Sequence, residues 1–308
     1  MINFRAMGLA AGLFWLVAGC HSEPEVMPVS DLDEARFNEI QHIVRSGMLV
    51  ELAYDDFEHD GYDHAKRFPE GFQLQHRIHG DDHDGKRELY GFWARSRQHP
   101  DLQIIALRGT DDGAEWRENL KMNKADPETL PGKVEEGFWQ IYRSLTTVGS
   151  EERLVDSIRR SDGKQWVIIG HSMGGALATM LAADLLNEPG RIEDPAEAII
   201  LITLASPRVG NRAFADFVEQ GLEQVYRIVN LADVVPKVPG TWMGYRHVGA
   251  AYGFNSLEDP NFKSSLICDH SLETYLKELS PQSCRLAAHC RHPGEQEEQP
   301  PGCQRRGD

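Results

Sequence analysis

The residues best placed to do chemistry are Gly170-His171-Ser172-Met173-Gly174, which directly follow the apolar run Trp166-Val167-Ile168-Ile169 and precede the small residues Gly175, Ala176 and Ala178. Five letters alone are a weak signal; their setting makes them a strong one. A serine on a sharp strand-to-helix turn needs Gly170 and Gly174 around it because side chains there would collide, and small residues let the helix lie close to the strand. A serine hydroxyl is a poor nucleophile at neutral pH, so it needs a base, and the base needs an orienting carboxylate. Asp233 suits the carboxylate, since it follows the apolar run Val225 to Val229 through a short turn and precedes Val234-Val235-Pro236, which would fix the loop. Glu258 and Asp259 are rivals in a polar loop with no apolar strand before it. For the base, His247 competes with His270. His247 lies in an aromatic, extended segment with Trp242, Tyr245 and Tyr252, where packing is the commoner fate of a histidine. His270 begins the last helical pattern, with Leu272, Tyr275, Leu276 and Leu279 on one face, and that end position favours it. A helix N-terminus disfavours imidazolium while a nearby Asp233 favours it, and the opposition leaves a usable neutral base.

These residues need a frame. Phe37, Ile40, Ile43, Val44, Met48 and Leu52 recur at helical spacing, so a helix over 35–53 opens the fold. Phe72 to Ile78 and Glu88 to Ala94 flank a polar turn containing Asp84-Gly85 and predict a hairpin. His79 and His83 in that turn invite a metal, but a calcium loop would place Gly80 and Gly91 at ligand positions, so a solvated acidic turn is the better reading. Leu102 to Leu107, Trp166 to Ile169, Ala198 to Leu204 and Val225 to Val229 are short continuous apolar runs, as expected of strands buried on both faces. Helical patterns lie between them: Val134, Phe138, Ile141, Tyr142 and Leu145; Met173 to Leu185; and Phe214, Phe217 and Val218 behind the N-cap candidate Asn211. Strand then helix, repeated, predicts an α/β fold with a mostly parallel central sheet and helices on both faces.

The chain has 308 residues, long enough for one α/β unit with appendages or for two domains. Its 48 acidic against 32 basic residues give a formal charge of -16, which repels phosphate backbones and argues against a nucleic-acid partner. Arg5 precedes an apolar run, Ala6 to Ala18, well short of the ~20 residues a spanning helix needs, so the N-terminus reads as a secretory signal. Val17-Ala18-Gly19-Cys20 resembles a bacterial lipobox. That resemblance implies a signal peptide over 1–19, lipidation of Cys20, a tether over 20–34, and anchoring in the bacterial cell envelope. With no Asp after Cys20 it implies the outer membrane; the alternative is a periplasmic or secreted protein cut near Ala18. Cys268, Cys284, Cys290 and Cys303 permit two disulfides in three pairings, and residues 281–308 read as a disordered tail.

Leu107-Arg108-Gly109-Thr110, Gly170 to Gly175, Ala205-Ser206-Pro207-Arg208-Val209-Gly210-Asn211, and Asn230 to Pro239 together resemble the class 3 lipase family of fungal-lipase-like α/β-hydrolases, over a domain at 35–280. Arg246-His247-Val248-Gly249 and Asp269-His270-Ser271-Leu272 fall where that family places them. The hydrolase order of Ser, then Asp, then His agrees with Ser172, Asp233 and His270. The resemblance implies that these three form a triad, that His247 is structural, and that Thr110 and the Met173 N–H form an oxyanion hole. It implies hydrolysis of lipid esters through an acyl-enzyme on Ser172, with no cofactor and no metal. Triacylglycerol lipase, phospholipase A1 and short-chain carboxylesterase stay open, and a non-catalytic lipid-binding or structural lipoprotein is the reading from another class. The family often carries an apolar lid after the oxyanion residue; here Asp111 to Asp126 is mostly charged, with Trp116, Leu120 and Met122 as apolar anchors, so strong interfacial activation is not expected. Glu135 stands where many relatives carry His, and Leu107 where they carry Phe; neither alters the mechanism.

Overall fold

A computed structural model describes residues 26–29, 37–58, 68–110, 123–150, 152–279 and 290. The lipobox, the charged stretch 111–122, Cys284, Cys303 and the tether apart from 26–29 lie outside the described residues; within the tether, Val26–Pro28 instead pairs as a parallel strand with Ala251 to Gly253, backbone bonding that a polar, Pro-containing stretch does not announce.

The main sheet contains β1 (Val26–Pro28), β2 (Phe72–Asp81), β3 (Arg87–Ser96) and β4 (Leu102–Leu107), with β7 (Thr146–Thr147), β8 (Gln165–His171), β9 (Ile199–Leu204), β11 (Gln224–Asn230) and β13 (Ala251–Phe254). Its order is β1-β13-β11-β9-β8-β4-β3-β2-β7. From β1 to β4 across the sheet every pairing is parallel, whereas β3, β2 and β7 complete it antiparallel. Alternation along each strand divides the core. Ile105 and Leu107, Trp166 and Ile168, Ile199 and Leu201 enter one apolar layer. Ile104 and Ala106, Val167 and Ile169, Ile202 and Leu204 enter the other. Both faces are therefore dry, which is why these strands read as unbroken apolar runs.

On the first face lie α2 (Glu136–Ser144), α3 (Leu154–Arg160), α4 (Met173–Asn187) and α6 (Arg212–Gly221), the last after the one-turn α5 (Pro195–Ala198). On the other lie α1 (Phe37–Glu58) and α7 (Leu272–Leu279), close enough that a Cβ on Gly47 would meet the Leu276 side chain. Thirteen residues of α4 are buried, from Met173 to Leu185, so this helix has no polar face to show solvent. Its one buried carboxylate, Asp184, is answered by Arg159 at 2.7 Å and the Tyr142 hydroxyl at 2.7 Å.

The hairpin forms as expected, with Gly85 in a left-handed turn and Asp82 accepting the N–H groups of Asp84 and Lys86. Asn211 caps α6 by accepting from Phe214 N–H at 3.1 Å. One expectation changes. Val134 belongs not to the following helix but to β6 (Val134–Glu135), in a small second sheet ordered β12-β10-β6-β5, with β5 at Lys124–Ala125, β10 at Gly210–Asn211 and β12 at Tyr245–Arg246. An apolar residue at the right interval cannot reveal a strand partner nearly eighty residues away.

Candidate active site

Thr110 follows β4, Ser172 follows β8 and Asp233 follows β11, so all three stand beyond the carboxyl ends of parallel strands, where an open α/β sheet leaves its crevice. Ser172 has φ 57° and ψ −129°, left-handed backbone for a residue with a Cβ, a strain of about 1–3 kcal/mol that the surroundings must over-determine. They do. A Cβ on Gly170 would run into the Gly174 backbone, and one on Gly174 into the carbonyls of Leu107 and Arg108. Ser172 N–H is tied to Leu204 O at 2.9 Å.

His270 Nε2 lies 2.8 Å from Ser172 Oγ, and its Nδ1 lies 2.7 Å from Asp233 Oδ2. Since a carboxylate only accepts, Nδ1 carries the proton and Nε2 is the free base facing the serine hydroxyl. Asp233 is buried, with Oδ1 accepting from Val235 N–H at 2.9 Å and Oδ2 also accepting from the Tyr275 hydroxyl at 2.9 Å. Tyr275 in turn accepts from Asn230 N–H at 2.9 Å. Burial first, then the Asp233 charge, push the Tyr275 phenol well above its ordinary range, so it remains a donor. Arg208 spans the loop beyond, donating through Nη1 to the carbonyls of Lys237 at 2.6 Å and Pro239 at 3.0 Å.

His270 itself sits in the turn before α7 rather than in its first turn: the helix begins at Leu272, and Ser271 Oγ accepts from Thr274 N–H at 3.3 Å. That turn is held twice over. Asn230 Nδ2 donates to Asp269 O at 2.8 Å and to Ser256 Oγ at 2.9 Å, while Asp269 accepts from Ser256 Oγ and Ser264 Oγ at 3.1 and 2.8 Å. Two residues before His270, Cys268 is bonded to Cys290, one of the pairings the sequence left open.

The rival residues are elsewhere. His247 is buried with Nε2 on Pro236 O at 2.7 Å, and burial and the Arg227 and Arg208 charges hold its pKa well below the ordinary value. Asp259 is paired with Lys277, and Glu258 is in the short 3-10 turn before it.

Beside Ser172, the N-terminus of α4 offers first-turn N–H groups that no intrahelical carbonyl can take, Met173 N–H among them, at the positive end of the helix. Thr110 supplies the second wall. Its Oγ1 is buried and has no hydrogen-bond partner among the described residues. Such a hydroxyl costs stability unless something accepts from it, and an oxygen gaining negative charge between Thr110 and Met173 would do so. On the loops that carry the site residues, Leu231, Leu257, Leu266 and Ile267 are 48%, 58%, 58% and 69% exposed. Leu231 and Leu257 are next in sequence to Asn230 and Ser256, and Leu266 and Ile267 lie within three residues of Asp269. Among the described residues no group of His, Cys, Asp and Glu could hold a metal ion.

Residues 104–243 match the family model described as Lipase (class 3). That segment carries Thr110, Ser172 and Asp233 and stops before His270, whose place beside them comes from the tertiary structure. Similar to this chain are a chloroplastic phospholipase A(1) of Arabidopsis thaliana, 31% identical over 219 residues (56% of this chain, 48% of the relative), and a secreted mono- and diacylglycerol lipase of Fusarium solani, 30% identical over 151 residues (48% and 43%). The chain spans about half the length of the curated relatives it matches. A solved lipase from Rhizopus microsporus var. chinensis superposes with a TM-score of 0.58 at 22% identity, covering 82% of this chain and 85% of that one. The Rhizomucor miehei triacylglyceride lipase gives 0.58 at 22%, covering 73% and 83%. These likenesses show the α/β-hydrolase fold.

Sequence reasoning passed over Tyr54, quoted Arg108, Asn230 and Asp269 within motifs without giving them a role, and placed Tyr275 only on the apolar face of the last helix. Each acts on a backbone group or through a second residue, and such partners leave no spacing signal.

Proposed function

We propose that the protein is a serine hydrolase that cleaves carboxylic esters of lipids, with Ser172, His270 and Asp233 as its triad. The unbroken hydrogen-bonded line from Ser172 Oγ through His270 to Asp233 carries this reading. Ser172 Oγ attacks the ester carbonyl as its proton passes to His270 Nε2, and Asp233 stabilises the imidazolium. The negative oxygen of the tetrahedral intermediate takes hydrogen bonds from Met173 N–H and from Thr110. Collapse expels the alcohol, which takes the proton from His270 and leaves an acyl group on Ser172. Water, deprotonated by the same histidine, then releases the acid.

Two observations support lipid rather than small, freely soluble esters. Exposed apolar side chains, Leu231, Leu257, Leu266 and Ile267, stand within three residues of the site residues Asn230, Ser256 and Asp269, and the relatives are named for action on acylglycerols or as phospholipases A1. A triacylglycerol lipase-like activity is the first choice, with phospholipase A1 and short-chain carboxylesterase as the neighbouring ones. The lipobox-like Val17-Ala18-Gly19-Cys20 supports lipidation of Cys20 and an outer-membrane position in a bacterial envelope, bringing the enzyme to its substrate. Globomycin treatment tests the anchor: uncleaved precursor must accumulate.

A nitrophenyl-ester chain-length series on wild type and Ser172→Ala tests the activity. The wild type turns over, and the variant falls by about four orders of magnitude or more. Equal rates in the two proteins would leave a lipid-binding lipoprotein as the better description.

A further inference from the structure

Behind the nucleophile lie two polar side chains that the reaction does not consume, Tyr54 of α1 and His171 at the end of β8. Gly109 N–H donates to the Tyr54 hydroxyl at 2.8 Å, the hydroxyl is 2.9 Å from His171 Nδ1, and His171 Nε2 is 2.9 Å from the backbone oxygen of His270. Proton positions along this line follow from its ends. A carbonyl oxygen cannot donate, so His171 Nε2 carries the hydrogen and donates to His270 O. In a neutral ring Nδ1 is then bare and accepts the Tyr54 proton, leaving the phenol's lone pairs for Gly109 N–H. Every group in the line is satisfied in one direction only.

Both ends of this line matter to catalysis. Gly109 is the residue before Thr110, and the turn lies against the nucleophile: a Cβ on Gly109 would sit 2.8 Å from Ser172 Cβ and 2.8 Å from the Tyr54 hydroxyl oxygen. Its carbonyl is held from the other side by Arg108 Nη1 at 2.6 Å. A trans peptide points its C=O and the following N–H in opposite directions, so fixing Gly109 at both ends also fixes the aim of Thr110 N–H. At the other end, His270 O belongs to the base, whose ring packs over that of His171 with centroids 5.0 Å apart.

We propose that Tyr54 and His171 are positioning residues that tie the oxyanion turn to the backbone of the base, so that Thr110 and His270 keep one spacing about Ser172. This rests on the serine-hydrolase reading above. Burial first, and His270 second, hold the His171 pKa well below its ordinary value, which agrees with the neutral ring the line requires; Tyr54, Tyr275 and His270 are the titratable groups facing it. Neither residue touches the reacting atoms, so their loss should appear as misplacement, which near an active site costs up to about a hundredfold.

The test uses the full chain and a soluble nitrophenyl ester with Tyr54→Phe, His171→Gln and the double variant. Tyr54→Phe is expected to lower kcat between about tenfold and a hundredfold with KM within about twofold, because the effect falls on oxyanion geometry rather than on ground-state binding. His171→Gln breaks the same central bond, so the double variant should be no slower than the worse single one. Nitrogen-15 NMR of the wild type should show His171 protonated at Nε2 and bare at Nδ1. Wild-type kcat in Tyr54→Phe, additive losses in the double variant, or a ring protonated at Nδ1 would each overturn the proposal. If Tyr54→Phe does not fold, the NMR measurement on the wild type decides. An active Ser172→Ala would instead remove the hydrolase reading and leave the tautomer question standing.

Discussion

Thr110→Val separates activity from stability by sign. The substitution keeps shape and the backbone N–H but removes Oγ1, which is buried without a hydrogen-bond partner among the described residues. Among the described residues nothing replaces the water that hydroxyl has lost, a cost of about 1–3 kcal/mol. A methyl group in its place should raise stability by about 1 kcal/mol, or roughly 2–4 °C in Tm for a domain of this size. During the reaction the balance reverses. In the proposed mechanism the hydroxyl is one of the donors to the developing oxyanion, and loss of such a donor costs about 2.7–4 kcal/mol, a fall of roughly a hundredfold to a thousandfold in kcat. KM should barely change, because the interaction is made in the transition state and not with the resting ester. Calorimetry and steady-state kinetics on one soluble ester read both quantities from one preparation. A variant that is less stable, or one that keeps wild-type kcat, would refute the assignment of Thr110 to the oxyanion.

His171 and His247 are both held well below the ordinary value near 6.5, chiefly by burial, so the unfolded chain takes up their protons first as pH falls. Their contribution is complete above about pH 6.5 and declines below it, each by up to about 1.4 kcal/mol per pH unit. Urea unfolding at pH 7.5, 6.5 and 5.5 should show the decline, and a folded His247→Gln variant should show a shallower one; an unchanged slope would contradict it. Three residues before His270, Ile267 is 69% exposed, so Ile267→Asp should leave folding and turnover of a soluble ester within about twofold while slowing hydrolysis of an emulsified long-chain ester severalfold. Equal losses on both substrates would show that Ile267 acts on the chemistry and not on contact with lipid.

Much of this protein was legible because its signals are local. The run at Leu102 to Leu107 is a strand, and so is that at Ala198 to Leu204 apart from Ala198, which ends α5, since a strand dry on both faces has no polar alternation to hide it. Ser172 was legible because a left-handed turn between strand and helix excludes side chains from its neighbours, and that exclusion is written as glycine. Asp233 stood out by its place after an apolar run, and His270 by its place before the last helix.

The choice between His247 and His270 shows where such reading ends. Both histidines follow Asp233 and both stand near aromatic residues; only the packing of α7 under β11 and the bonds from Asn230 to Asp269 and Ser256 bring one imidazole to Ser172, while Pro236 O occupies the other. The same holds for Val134 in its strand, for the Cys268–Cys290 bond and for the line from Gly109 to His270. Chain order and residue type determine which groups can ionise, attack or turn, since these are properties of one residue and its neighbours. Which groups meet is decided by distances summed over the whole core, where shifts of a few tenths of an ångström matter and no short stretch of sequence records them.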